Sequence, residues 1–77
     1  MNQEDRKELE ELIQTLEETA SVLEDKASDL EDRAVNLEEK FPDKADAIQQ
    51  EADGLREASE AIEDVVSSIR TAMEGGF

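Results

Sequence analysis

The sequence predicts an all-α fold, an antiparallel two-helix coiled-coil hairpin with close alanine–leucine packing that dimerises into a four-helix bundle. Leucine recurs every seven residues over 9–43, in LEELIQT, LEETASV, LEDKASD, LEDRAVN and LEEKFPD, and a second heptad pattern follows Pro42. Five unbroken repeats are typical of a coiled-coil helix. The chain has only 77 residues and no cysteine. Because so small a domain buries little apolar surface by itself, dimerisation is expected.

The first helix is expected over about residues 3–40. Asn2 precedes it, and Asp5 follows three residues later, which resembles a capping box. With Ile13 at heptad position a, the row of a positions is mostly alanine and the row of d positions is entirely leucine. The a row is Ile13, Ala20, Ala27, Ala34 and Phe41, and the d row is Leu9, Leu16, Leu23, Leu30 and Leu37.

The second helix is expected over about residues 44–74, after a turn at about 41–43. Pro42 disfavours a helical conformation at Phe41, and Asp43 is a suitable N-cap. Small residues again dominate position a and large ones fill position d. The a row is Ala45, Ala52, Ser59, Val66 and Met73, and the d row is Ile48, Leu55, Ile62 and Ile69. Residues 75–77 form a tail, and 1–77 form one domain.

The short turn forces the two helices to fold back on each other. Two registers are compatible with the pattern: one places Ala27 opposite Leu55, and the other, shifted by one heptad, places Ala27 opposite Ile62. In both registers Arg56 and Arg70, at position e, lie opposite glutamates of the first helix. Exposed pairs of this kind select an orientation more than they stabilise it.

One side of the hairpin is predicted to be an apolar association face. Its residues occupy positions g and c, beside the d row: Leu12, Val22, Ala58, Ala61, Val65 and Ala72. Exposed apolar patches usually mark interfaces. A homodimer would cover this face, a groove for a different protein is a second interpretation, and an ordinary helical surface of small residues is a third.

The opposite side is predicted to be an acidic partner-binding face. It consists of one acid doublet per heptad of the first helix, at positions e and f: Glu10, Glu11, Glu17, Glu18, Glu24, Asp25, Glu31, Asp32, Glu38 and Glu39. Acids outnumber bases 23 to 8, for a net charge of -15. Such a chain is repelled by nucleic acids and by anionic membrane surfaces, so we expect neither as a direct partner. A basic nucleic-acid-binding protein is the expected partner, and solvation of the helix is the competing interpretation of the acids.

Catalysis is not expected. The chain has no His, Cys, Tyr or Trp, which removes the commonest general bases, thiolate nucleophiles and soft metal ligands. We therefore expect no enzymatic activity, no metal site and no cofactor. The start of the chain is charged and no apolar run approaches a membrane span, so a cytoplasmic location is expected.

The sequence thus favours a non-catalytic protein-interaction module, in its sharpest form an inhibitor or nucleic-acid mimic that occupies a nucleic-acid-binding protein. In composition alone the chain is similar to the small acidic proteins by which phages occupy nucleic-acid-binding enzymes. The alternative is a structural or adaptor coiled coil that assembles through the apolar side of its second helix.

Overall fold

The computed structural model describes residues 1–75, which form two helices packed against each other and contain no strand. Helix α1 spans Gln3–Leu37 and helix α2 spans Pro42–Gly75. The hairpin measures 58 × 16 × 10 Å across its Cα atoms. Gly76 and Phe77, which belong to the predicted tail, lie outside the described residues.

Helix α1 begins as the sequence predicts. The Asn2 side chain accepts a hydrogen bond from the backbone N–H of Asp5 at 2.7 Å, and the Asn2 carbonyl accepts one from Arg6 at 3.1 Å. Asn2 therefore satisfies donors that an uncapped helix would leave without a partner.

The connection differs from the prediction in its bounds. Helix α1 ends at Leu37 instead of about residue 40, and Pro42 is the first residue of α2 instead of part of the turn. Proline suits the first turn of a helix, because its missing N–H would have no intrahelical partner there. Phe41 joins the two helices: its N–H donates to Leu37 at 2.7 Å, and its carbonyl accepts from Ala45 at 3.0 Å. Asp43 is consequently the second residue of α2 and not its N-cap.

The seam between the helices is centred on the a row. Every a residue within the two helices from Ile13 onward is at most 6% exposed: Ile13, Ala20, Ala27, Ala34, Ala45, Ala52, Ser59, Val66 and Met73. The d residues, in contrast, are only half-buried. The sequence placed a and d residues together in the seam, and the structure buries the a row more deeply than the d row. Because alanine projects a single methyl group, the helices pack most closely along that row, and the longer leucines lie beside the seam.

The bulkiest part of the core lies at the open end of the hairpin, away from the turn. Ile13, Val66 and Met73 are buried together there, and half-buried d residues of both helices pack against them. Toward the turn the buried residues are alanines. The hairpin therefore has a thin core, and half of its large aliphatic side chains are only partly covered.

Candidate functional site

Ion pairs lie along one side of the seam, where the e positions of the two helices meet. Arg56 forms salt bridges with Glu31 and with Glu24, the latter at 3.5 Å, and Arg70 bonds Glu17 at 3.0 Å. Gln49 donates to Glu31 at 3.3 Å. We call this the ionic side. The sequence-based pairing of Arg56 and Arg70 with glutamates of the first helix is confirmed.

Two members of the Arg56 cluster, Glu31 and Arg56, have shifted pKa values. The hydrogen bond from Arg56 is the main cause that lowers the pKa of Glu31 below its ordinary value, and the bond from Gln49 adds to it. The same hydrogen bond raises the pKa of Arg56. Because both groups remain in contact with water, the cluster orients side chains more than it stabilises the fold.

The ten acids of the predicted acidic face divide into two rows with different surroundings. The e row lies along the ionic side, and Glu24 and Glu31 are half-buried there by Arg56. The f row is exposed over its whole length, and within residues 1–75 none of its carboxylates forms an ion pair or accepts a hydrogen bond: Glu11, Glu18, Asp25, Asp32 and Glu39. The f row and the two terminal members of the e row, Glu10 and Glu38, are therefore fully available to another molecule.

The length of the hairpin sets the density of its charge. A net charge of -15 over 58 Å is about one charge per 4 Å, close to the 3.4 Å spacing of phosphates along one DNA strand. Two copies side by side would carry about one charge per 2 Å, close to duplex DNA. The charge density reaches that of a duplex only in an assembly of two copies.

The other side of the seam is apolar. Nine d residues lie half-buried along it: Leu9, Leu16, Leu23, Leu30, Leu37, Ile48, Leu55, Ile62 and Ile69. We call this the apolar side. Sequence reasoning placed these residues inside the seam and so missed them as surface. The signal that could have found them is the alanine row itself, because a seam of alanines is too narrow to cover the neighbouring leucines.

The residues of the predicted association face border the d row. Leu12 and Val22 are each 55% exposed, Val65 is 48% exposed, and Ala58 is half-buried. Ala61 and Ala72 are exposed as well. Together with the d row, which runs from Leu9 to Leu37 on α1, they form an apolar surface larger than the six-residue patch that the sequence predicted. A surface of this size is typical of an interface.

A shallow, charged recess of about 320 Å³ lies on the ionic side beside Lys7, Glu17 and Arg70. Within the two described helices, no group of three acidic side chains is arranged to hold a metal ion. Neither helix, as far as Gly75, contains a stretch apolar and long enough to cross a membrane.

Comparisons with protein-family models, with curated proteins and with solved structures find no match, so the function is argued from the two sides of the hairpin alone.

Proposed function

We propose that the chain is a non-catalytic protein-interaction module: an antiparallel hairpin that self-associates through its apolar side and binds a basic nucleic-acid-binding protein through its acidic face. The observation that carries this proposal is the separation of the two surfaces. The half-buried d row and the ion-paired e row flank the buried a row on opposite sides, and the f row points away from the partner helix. One surface can therefore be covered while the other stays open.

The antiparallel arrangement is supported by the order of the contacts along the chain. Arg6, near the start of α1, bonds Met73, near the end of α2, and Glu31 bonds Gln49 near the turn. Ser59 bonds Ala20 between them. This contact favours the register with Ala27 opposite Leu55, because in the alternative register Ser59 would be shifted along α1 by a further heptad, about 10 Å.

A test of acidic binding should leave the hairpin intact. Since Glu24 and Glu31 hold Arg56, neutralising them would weaken the fold as well as the face. The f row offers a cleaner variant, Glu18→Gln with Asp25→Asn and Asp32→Asn. A matched control removes three exposed acids of α2, Glu57→Gln with Glu60→Gln and Asp64→Asn. Both variants change the net charge by the same amount.

The measurement is capture of proteins from a cell extract on the immobilised chain, followed by displacement with duplex DNA and by a salt gradient. We expect captured proteins to be released by DNA and by rising salt, because a charge-driven complex is screened. The f-row variant should retain far less of them than the α2 control. Equal loss in both variants, or capture that salt and DNA leave unchanged, would contradict acidic mimicry.

The second candidate function is assembly alone, with the acids as solvating charge. It is favoured by the exposure of Val65 and of the d row. Val65→Lys combined with Ala58→Lys should abolish self-association in sedimentation velocity, whereas two lysines on the ionic side, Ser21→Lys with Ser67→Lys, should not. If the f-row variant is fully functional and the Val65/Ala58 variant is inactive, this second function is the correct one.

A further inference from the structure

The apolar side also carries information about how its occupant is oriented. We infer that two copies pack apolar side to apolar side with their turns at the same end, so that α1 of each copy lies beside α2 of the other. This inference rests on the proposed self-association and adds its geometry. In such a bundle every pair of neighbouring helices is antiparallel.

The size of the surface fits a second copy of the hairpin. The d row of α1 runs from Leu9 to Leu37, about 42 Å of helix, and the hairpin is 16 Å wide. A face of these dimensions covers about 670 Å² per copy, or about 1,300 Å² for the pair, which lies within the range of stable interfaces. A single additional helix would cover about half of it.

The g positions decide the orientation, because d and g residues straddle the direction that faces a partner. With the turns at the same end, most of the paired residues are of like character, and the mixed pair is Lys26 opposite the partner's Ala58. Leu12 then lies opposite the partner's Ala72, and Thr19 lies opposite the partner's Val65. Nearer the turn, Arg33 lies opposite the partner's Glu51.

The reverse orientation, with the turns at opposite ends, matches these positions poorly. It places Arg33 opposite the partner's Leu12 and Glu51 opposite the partner's Val65. Both apolar residues are about half exposed in the single hairpin, and in this orientation each would be covered by a charged side chain. The surface is therefore more self-complementary with the turns at the same end.

One like-charge contact accompanies the favoured orientation, between Lys40 and the partner's Lys44. Lys40 is an exposed residue of the turn that connects the two helices. The Lys44 ammonium lies 5.2 Å from the centre of the Phe41 ring. Both side chains have solvent on one side, so the repulsion is screened. The cost of this repulsion is small compared with the stabilisation gained by covering the apolar surface in this orientation.

A charge exchange tests the predicted contact between Arg33 and Glu51. Neither residue takes part in an ion pair within residues 1–75 of one hairpin. Arg33→Glu should raise the dimer dissociation constant about threefold to tenfold in sedimentation equilibrium, since glutamates then face each other in two places. The double variant R33E/E51R should return it to within about twofold of the original value.

The control for net charge is R33E/E57R, which has the same charge as the double variant but places the new arginine on the outer face of α2. It should not restore dimerisation. Equal restoration by both double variants, or by neither, would overturn the proposed orientation.

Disulfide trapping gives an independent result, since the chain has no cysteine of its own. Mixed Thr19→Cys and Val65→Cys chains should form a covalent heterodimer on mild oxidation, and Ser67→Cys on the ionic side should form none. If a chain carrying only Ala58→Cys forms the covalent dimer instead, the orientation is wrong. The same holds if the chains dimerise but Thr19→Cys and Val65→Cys form no disulfide bond. In both cases the chain still self-associates. A chain that stays monomeric at all concentrations would overturn both self-association and this inference, without bearing on the capture experiment for the acidic face.

Discussion

The Ser59 hydroxyl donates a hydrogen bond to the backbone carbonyl of Ala20 across the seam, at 3.1 Å. Ser59 is 4% exposed and Ala20 is 2% exposed. A hydroxyl is small enough to lie against Ala20 in the a row, and its bond leaves no buried side-chain polar atom without a partner among residues 1–75. This contact also fixes the axial position of the helices, because a shift by one turn would leave the hydroxyl without its acceptor.

Ser59→Ala should therefore lower the free energy of unfolding by about 0.5–1.5 kcal/mol, the usual net contribution of one hydrogen bond. Ser59→Leu should lower it by at least about 1–3 kcal/mol, because the seam has no room for the larger side chain. Urea denaturation at one protein concentration measures both. Ser67→Ala, on an exposed position of the same helix, is the control and should change little. A Ser59→Leu chain as stable as the original would show that the helices are not in close contact at this row.

The sequence was sufficient to predict the two helices, the Asn2 cap and the partners of Arg56 and Arg70, because these depend on local spacing. It misplaced the turn by a few residues, since Pro42 is compatible both with ending one helix and with beginning the next. It also assigned Leu23 and Leu55 to the seam. Heptad spacing alone does not determine whether a two-helix contact is centred between a and d or on a, because that choice depends on how closely the alanines let the axes approach.

The Arg56 cluster predicts a dependence of stability on pH. The pKa of Glu31 is lower in the folded chain than in the unfolded chain, chiefly through its hydrogen bond with Arg56. The cluster therefore stabilises the fold above the ordinary pKa of a glutamate, and this stabilisation is lost as pH falls through the lowered pKa. Arg56→Met keeps the aliphatic stem and removes the charge.

We expect the difference in melting temperature between the original chain and Arg56→Met to be largest near pH 7 and to shrink as pH falls below the ordinary pKa of a glutamate. Thermal unfolding followed by circular dichroism over this range measures it. Lys26→Met removes an exposed charge that has no ion pair within the described residues. The difference in melting temperature between the original chain and Lys26→Met should therefore be smaller at neutral pH. A gap that widens on acidification in Arg56→Met would contradict the assignment of the shift to Arg56.

Arg6 links the two helices at the open end of the hairpin. Its guanidinium donates to the carbonyl of Met73 at 2.9 Å, and the last turn of α2 contains no basic residue of its own. A cation near the negative end of a helix dipole stabilises it by about 0.3–1 kcal/mol. Sequence reasoning did not assign Arg6 a role, although its heptad position, a, places it at the seam.

Arg6→Gln should accordingly lower stability by about 0.3–1 kcal/mol and increase hydrogen exchange in the last turn of α2. Hydrogen exchange near the turn, for example at Ala52, should change only as far as the variant lowers the free energy of global unfolding. Lys7→Gln removes the neighbouring charge and is the matched control. If both variants change exchange at the end of α2 equally, general electrostatics would account for the effect, and the Arg6–Met73 bond would not.

Gly54 lies in the interior of α2 at an exposed c position. A Cβ atom built on Gly54 meets no atom within 4 Å, so nothing in the single hairpin requires glycine. Gly54→Ala should raise the free energy of unfolding by about 0.5–1 kcal/mol, because alanine loses less backbone freedom in a helix. The reverse exchange at the next c position, Ala61→Gly, should lower it by a similar amount. Urea denaturation at two protein concentrations shows whether Gly54 also faces open space in the assembled protein. If Gly54→Ala destabilises the chain, and does so more strongly at the higher concentration, a partner's backbone approaches Gly54. The expectation of open space there would then be wrong.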